Sequence, residues 1–468
     1  MSETHDLVIL GSGSTAFAAA LRAQALGARV LMVEKSVLGG TCINWGCIPS
    51  KTLIHAALFY QEGKLGATLG VGNGGGEIDI ARLTARKDEA VLHLRTTKYL
   101  DVLQNVSGLE LLKGTGRFLA PDRLQVMDRT IRSERFLIAV GGEPRIPRIP
   151  GLDATPFLTS RGALLLKTFP KTLIIIGGGV IAMELGQMFQ RLGTRVTVLE
   201  HGPRVLPPVE PEPALAVQQA LAAEGMEFVV NVGICSVAGD GNGVRVETER
   251  EGERGMFVAE KLLLAAGTAP ATKGIGLDKA GVDTDSRGFI TVDKRMRTTT
   301  PGIWAAGDCT GGMMIATVGA REGITAVDDM LNPGCGCTMD YLSIPMGIFT
   351  DPEVGTVGHS EESARAAGFD VEVNVLPVSA IPKAHVTGHT AGVIKMVADR
   401  TTGRLLGAHI ACHRGADLIN EAALAIRLKA TVEDLANALH VYPSMAEGLR
   451  LCAQGFSRDV NRLSCCAE

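Results

Sequence analysis

Asp6-Leu7-Val8-Ile9-Leu10-Gly11-Ser12-Gly13-Ser14-Thr15-Ala16 opens the chain, and a second stretch, Leu173-Ile174-Ile175-Ile176-Gly177-Gly178-Gly179-Val180-Ile181-Ala182, repeats its pattern. Each is an apolar strand running into a glycine turn and then a helix. The first helix runs towards Leu26 and is followed by a strand, Ala28 to Val33, that ends at Glu34. The second runs to Leu192, and its following strand, Arg195 to Leu199, ends at Glu200. First glycine to acid is 34 − 11 = 23 residues in one copy and 200 − 177 = 23 in the other. One such glycine motif is weak evidence; two, each in strand–turn–helix context with an acid at the same offset, are strong. Gly11 and Gly177 make the tight turn, and Gly13 and Gly179 let backbone approach a pyrophosphate. Ala16 and Ala182 are small enough for helix to pack on strand. The helix N-terminus supplies unpaired N–H groups and a favourable dipole for phosphate. Glu34 and Glu200 are placed to accept hydrogen bonds from ribose hydroxyls. The chain therefore predicts two dinucleotide sites in an α/β fold.

A third landmark, Thr300-Pro301-Gly302-Ile303-Trp304-Ala305-Ala306-Gly307-Asp308, reads as a buried strand ending in Gly-Asp. It is suited to presenting the Asp308 carboxylate to a polyol chain. Beyond Cys337 the pattern changes. Strand-like stretches at 344–349, 372–378, 392–397 and 405–411 precede helices at 416–428 and 432–438, the grouping of an α+β domain. The expected division is a first nucleotide domain over 1–150 and 271–337, a second over 151–270, and a C-terminal domain over 338–468. A length of 468 residues agrees with roughly three domains.

Composition narrows the function classes. A formal charge of −4 and the lack of a basic run argue against nucleic acid or an anionic membrane as partner. Hydrophobic residues at 46 % and charged residues at 21 % are ordinary for a globular protein, so no disulfide framework is needed. Leu7 to Ala20 imitates a signal peptide, but no positive region precedes it and Gly11-Ser12-Gly13 interrupts it. No apolar run of about 20 residues predicts a membrane helix. Ten cysteines without a signal sequence point to a reducing compartment, where thiols are catalytic or metal-binding, and so to the cytoplasm.

Two of those cysteines stand out in Gly39-Gly40-Thr41-Cys42-Ile43-Asn44-Trp45-Gly46-Cys47-Ile48-Pro49-Ser50-Lys51. Cysteines five apart on a helix's opening turns join as a disulfide only if the turn between them is distorted, which Gly46 eases. A helix N-terminus pulls a thiol below its usual pKa of ~8.5. Zinc binding is the competing reading, although zinc motifs use two pairs at shorter spacing.

This stretch, with both glycine motifs and Gly307-Asp308, resembles the FAD-dependent pyridine-nucleotide disulfide oxidoreductases, the glutathione reductase-like family, over essentially the whole chain. The resemblance implies two Rossmann-like domains that bind FAD and NADH or NADPH, and an α+β C-terminal dimerisation domain. It implies a homodimer with shared active sites. Gly11, Gly13, Ala16, Glu34, Gly141 and Asp308 fall to FAD, and Gly177, Gly179, Ala182 and Glu200 to the nicotinamide nucleotide. Cys47 becomes the thiol against the flavin and Cys42 the outer, exchanging thiol. Lys51 sits near the flavin's reactive nitrogen with Glu184 as its ion partner; by sequence alone both are equally readable as solvated helix residues.

The C-terminus discriminates within the family. Disulfide reductases carry a His-Pro pair there, the histidine serving as acid for the leaving thiol. Here the segment reads His440-Val441-Tyr442-Pro443-Ser444-Met445-Ala446-Glu447, with tyrosine before the proline. His440 is two residues early, and a phenol of pKa ~10 is a poor substitute for imidazole. The chain ends Cys465-Cys466-Ala467-Glu468. Vicinal thiols there are either incidental or ligands for a soft ion. Together these departures resemble the mercuric reductase branch, in which a tail cysteine pair of one subunit hands Hg(II) to the active-site pair of the other. Tyr442, and more loosely Tyr99, resemble the tyrosines of that branch's metal pocket.

The resemblance then implies NAD(P)H-driven reduction of Hg(II) at Cys42 and Cys47, with Cys465 and Cys466 delivering the metal. The expected alternatives are a dihydrolipoamide dehydrogenase-like disulfide reductase and a flavoprotein that sequesters soft metal without turnover. An N-terminal Cys-x-x-Cys metal-binding domain, carried by many members, is expected to be missing. The ribose acid Glu200, with Arg204 four residues on, predicts use of NADH at least as well as NADPH. Gly267-Thr268-Ala269-Pro270-Ala271 replaces the family's Gly-Arg-x-Pro-Asn turn. Cys335-Gly336-Cys337 is an extra close pair, read as a surface loop or as an additional metal relay.

Overall fold

The computed structural model describes residues 5–71, 76–241 and 243–459. Its first sheet is parallel and five-stranded. Leu7–Leu10 lies between Phe136–Ile138 and Val30–Glu34, with Ile303–Ala305 and Leu109–Lys113 at the edges. Leu7, Val8, Ile9 and Leu10 are all buried, as are Phe136, Leu137 and Ile138. Such continuous apolar runs are what parallel strands covered on both faces require. Ile303–Ala305 belongs to this sheet although a second parallel sheet intervenes in sequence. That sheet runs Glu227–Val229, Arg195–Leu199, Thr172–Ile176, Lys261–Leu264.

The two glycine turns recur in space. Gly11 and Gly177 adopt φ of 114° and 105°, and a Cβ on either would lie 2.2 Å from the Ala139 carbonyl oxygen or 2.5 Å from that of Ala265. Only glycine fits at both places. The helices Ser14–Ala25 and Val180–Arg191 follow, and Ala16 and Ala182, in their first turns, are fully buried. The expected strand 28–33 begins at Val30 instead, because Gly27 turns the chain and Ala28 and Arg29 approach the sheet before entering it.

Two three-stranded antiparallel sheets were not foreseen. They are Gly116–Ala120 with Arg123–Val126 and Arg129–Arg132, and Gly233–Asp240 with Gly243–Arg250 and Glu253–Ala259. Their outward residues mix charged side chains with Gln125, Thr130, Met256 and Val258, which blurs the strand pattern.

The C-terminal sheet is antiparallel, in the order Met346–Ile348, Glu353–Gly358, Leu405–Cys412, Val393–Asp399, Val371–Pro377. Three of the four expected strands match closely; 344–349 shrinks to Met346–Ile348. Glu353–Gly358 was missed, since its glycines at 355 and 358 dilute strand propensity. Those glycines admit neighbours: a Cβ on Gly355 would lie 2.4 Å from the Gly415 carbonyl oxygen of the helix Gly415–Leu428. That helix and Val432–Asn437 stand where 416–428 and 432–438 were expected. Among the described residues no helix is long and apolar enough to cross a membrane.

Candidate active site

The chain turns from the Glu34 strand into a short helix, Gly40–Trp45, and restarts as the helix Cys47–Thr68. The two cysteines thus stand on two helices rather than the opening turns of one, with Gly46 as the break. A Cβ on Gly46 would sit 2.9 Å from the Thr41 carbonyl oxygen and 3.3 Å from Cys42 Cα. Glycine therefore lets the second helix start against the first, and the two thiols come within hydrogen-bonding reach of one another. Asn44 stiffens the turn, its amide donating to the carbonyls of Leu38 (3.0 Å) and Gly40 (2.8 Å).

Cys42 and Cys47 are free, half-buried thiols with opposite tendencies. The hydrogen bond to Cys42 lowers Cys47 to about 7, against the opposing effect of burial and with help from the Lys51 charge. The same bond, with burial and the Cys47 charge, pushes Cys42 well above the ordinary thiol range. The pair is arranged as one thiolate and one thiol.

Lys51 lies one helical turn beyond Cys47. Its ammonium meets Glu184 Oε2 at 2.6 Å and stands 4.8 Å from the centre of the Phe349 ring. The Phe349 N–H donates to Glu184 Oε1 at 2.9 Å. Glu184 is buried on the helix Val180–Arg191. Both carboxylate oxygens are thus engaged, and three segments of the chain meet at one ion pair. Sequence reading missed Phe349, which has no local signal.

Tyr99, on a third helical segment, stands within electrostatic range of the thiols. The helix Ile80–Arg95 continues through a π-helical turn, Thr96–Leu100, a wider coil that often marks functional positions. Tyr99 is buried, packs on Phe17 with ring centres 4.7 Å apart, and lies beside Gly39. Burial, then the charges of Cys42 and Cys47, push its phenol up to about 12. The hydroxyl therefore stays protonated next to the thiol pair.

Tyr442 is half exposed. His440, two residues before it, is held by Glu421 at 2.9 Å and by the Ala438 carbonyl at 3.0 Å. Glu447 is buried, and burial raises its carboxyl. Cys465 and Cys466 lie outside the described residues. The sulfurs of Cys335 and Cys337 lie against each other in the loop that follows the helix Ala316–Leu331.

The nucleotide residues form two matching cradles. Both helices start at a glycine, Gly13 or Gly179, without a side-chain cap, so their first N–H groups are left for a ligand. A Cβ on Gly179 or Gly141 would meet nothing within 4 Å. Ser12 Oγ donates to Glu34 Oε2 (2.6 Å) and the Ser36 N–H to Oε1 (2.5 Å). Glu200 takes the Gly178 N–H and, at 2.6 Å, that of Gly202. Each carboxylate oxygen retains a lone pair for a ribose hydroxyl. Asp308 follows Gly307, and burial raises its carboxyl. Glu322, not foreseen, takes the Gly307 N–H at 2.7 Å and the Tyr341 hydroxyl at 2.7 Å. These uncapped helix starts, with glycine where backbone must approach a phosphate, fit two dinucleotides.

Residues 5–323 match the family described as pyridine nucleotide-disulphide oxidoreductase, and residues 344–453 its dimerisation domain. A mercuric reductase of Lysinibacillus sphaericus is 39% identical over 465 residues, covering 99% of this chain and 85% of that protein. One from Streptomyces lividans is 38% identical over 474 residues, covering 99% and 98%. Among solved structures, the Cu(II) complex of an HOCl-induced flavoprotein disulfide reductase from Escherichia coli superposes with TM-score 0.86. It is 32% identical and covers 97% of this chain and 99% of its own. LpdA from Mycobacterium tuberculosis matches with TM-score 0.85 at 27% identity, covering 97% and 99%.

Proposed function

The chain belongs to the pyridine nucleotide-disulphide oxidoreductase family, and from that premise we propose that it reduces Hg(II) to Hg(0) with NADH or NADPH at the Cys42–Cys47 pair. The observation that carries this reading is the pairing of a low-pKa Cys47 with Cys42 beside the buried phenol of Tyr99. Two soft thiol ligands suit a soft ion. The identity of the relatives supports the same substrate.

Overall, Hg(II) and NAD(P)H give Hg(0), NAD(P)+ and a proton; the two electrons of the hydride end on the metal. FAD, when bound, supplies the two-electron relay between nicotinamide and the metal or thiol pair. Gly11, Gly13, Ala16, Glu34, Gly141 and Asp308 are the residues that would hold it, and Gly177, Gly179, Ala182 and Glu200 those for the nicotinamide nucleotide. Cys47, already a thiolate near neutral pH, takes the first metal bond. Cys42 gives up its proton as the second bond forms, and the metal displaces the hydrogen bond between the sulfurs. Lys51 holds positive charge beside the thiolate, and Glu184 fixes Lys51 in place. Tyr99 presents a neutral hydroxyl and excludes water.

Two-electron reduction breaks both Hg–S bonds and leaves the sulfurs as thiolates on the protein, so no departing substrate thiol has to be protonated by an imidazole. That fits Tyr442 before Pro443 and a His440 already occupied by Glu421. Delivery of Hg(II) by Cys465 and Cys466 of a partner subunit is part of the proposal and rests on sequence. The site of action proposed is the cytoplasm, where free thiols persist.

The test follows nicotinamide absorbance on FAD-loaded protein with excess small thiol, with and without Hg(II). Sustained Hg(II)-dependent oxidation with release of volatile metal is expected, lost in Cys42→Ser and Cys47→Ser. Turnover on lipoamide or glutathione disulfide with inhibition by Hg(II) would instead make it a disulfide reductase. Stoichiometric Hg(II) binding without turnover would make it a sequestering protein.

A further inference from the structure

The helix that begins at Cys47 ends far from the thiols, and a second cluster of donors gathers there. Glu62 lies 62 − 47 = 15 residues along it, about 22 Å at the helical rise. His389 follows Gly388, whose positive φ turns the chain after the helix Pro382–Thr387. His413 follows the strand Leu405–Cys412 and precedes Arg414, which is itself left-handed at φ 60°. Three segments remote in sequence thus converge. His389 Nε2 stands 3.1 Å from Glu62 Oε1, and the His389 and His413 rings stack with centres 4.1 Å apart and planes 8° from parallel. One donor atom from each of the three lies within 4.8 Å of the others. The cluster is neither deep core nor open surface: the His389 side chain is 16% exposed and that of Glu62 36%.

We propose that Glu62, His389 and His413 bind a borderline divalent cation of the Zn(II) class, at a site distinct from the thiol pair and independent of the activity proposed above. Two imidazoles and one carboxylate form a nitrogen–oxygen donor set that suits Zn(II), Cu(II) or Ni(II) and leaves a fourth position open to water. It is the wrong set for a soft ion, which the thiols favour. Without an ion, a hydrogen bond accounts for His389 and Glu62 and ring stacking for His413; to share a cation, one imidazole turns out of the stack so that both ring nitrogens aim at it. A cation shared among the three engages all of them. Its bonds would tie the far end of the Cys47 helix to the C-terminal sheet, linking the element that carries the redox pair to the domain assigned to dimerisation.

The experiment uses the FAD-loaded full chain with accessible thiols alkylated, so that sulfur is removed from the competition. Co(II) alone is the probe, with binding read by equilibrium dialysis and by its ligand-field spectrum. One equivalent per chain is expected, with nitrogen–oxygen bands and no thiolate charge-transfer band. Glu62→Gln and His413→Ala should each weaken binding roughly tenfold or more, while retained FAD reports an intact fold. If His413→Ala loses FAD, Glu62→Gln gives the same reading from the margin of a helix. Unchanged Co(II) affinity in either folded variant, or no bound Co(II) in the alkylated parent, would overturn the proposal.

Discussion

Lys51 and Glu184, 133 residues apart, form an ion pair of 2.6 Å that joins the helix starting at Cys47 to the helix starting after the second glycine turn. Its acid is buried and its base only partly exposed. A hydrogen bond between charged groups contributes about 2 kcal/mol. Glu184→Gln keeps an acceptor for the Phe349 N–H but removes the charge that fixes Lys51. Reduction of the oxidised, disulfide form of Cys42 and Cys47 by NADH in the FAD-loaded protein should slow roughly tenfold to thirtyfold, measured by stopped flow. The KM for Hg(II) should change little. Wild-type rates in that variant would remove Lys51 positioning from the scheme.

The lowered Cys47 pKa fixes the pH dependence of the thiol chemistry. Its folded value of about 7 lies below the ordinary thiol value, so the thiolate is populated above pH 7 and lost as pH falls through it. Alkylation of the reduced protein should accordingly rise through pH 7 rather than through the ordinary thiol range. Lys51→Met removes a charge that lowers Cys47 and should move that midpoint upward. A midpoint unchanged in Lys51→Met would show that the Cys42 hydrogen bond acts alone.

Gly46→Ala tests the break between the two cysteine helices. The added methyl would meet the Thr41 carbonyl oxygen at 2.9 Å, so backbone must move. Overpacking of this kind costs about 1–3 kcal/mol, readable as a lower urea midpoint. The more telling measurement is thiol–disulfide equilibration: total thiol should be unchanged while closure of Cys42 with Cys47 becomes harder. Normal closure would mean that the helix break tolerates a side chain.

Nicotinamide preference rests on Glu200 and Arg204. Glu200 is anchored by the N–H groups of Gly178 and Gly202, leaving lone pairs for a ribose diol and repelling a 2′-phosphate. Arg204 is turned away: its guanidinium donates to the carbonyls of Leu206 at 2.7 Å and Pro207 at 3.0 Å. kcat/KM for NADH should therefore equal or exceed that for NADPH, and Glu200→Gln should narrow any difference. A strong preference for NADPH would require Arg204 to leave those carbonyls.

What the sequence by itself determined are the features written in short, local patterns. The doubled strand–glycine–helix–strand units, the acids at 34 and 200 and the Cys42–Cys47 spacing all lie within windows of about 25 residues, whereas the break at Gly46 that puts the cysteines on two helices was not read there. A turn that needs positive φ at Gly11, or a helix start open to phosphate, is a backbone requirement, and backbone requirements select residue types locally. The C-terminal strands at 371–377, 393–399 and 405–412 were legible for a similar reason, their apolar residues being dense enough to mark burial. The strand Glu353–Gly358 was not, because its glycines make room for the helix Gly415–Leu428, and that packing exists only in three dimensions.

What only the tertiary structure decided are relationships between distant segments. Sequence could not separate Lys51 and Glu184 from solvated helix residues, since their pairing depends on how two helices face each other. It gave no sign of Phe349 on Glu184, of Glu322 behind Gly307, or of the convergence of Glu62, His389 and His413. It offered Tyr99 only by a loose likeness, whereas the π-helical turn and the Phe17 contact bury its ring beside Gly39, where the thiol charges act on it. The physical reason is common to all of these: the contact energy and the charge felt by a side chain come from neighbours in space, and chain order specifies those neighbours only after the sheets and helices have packed.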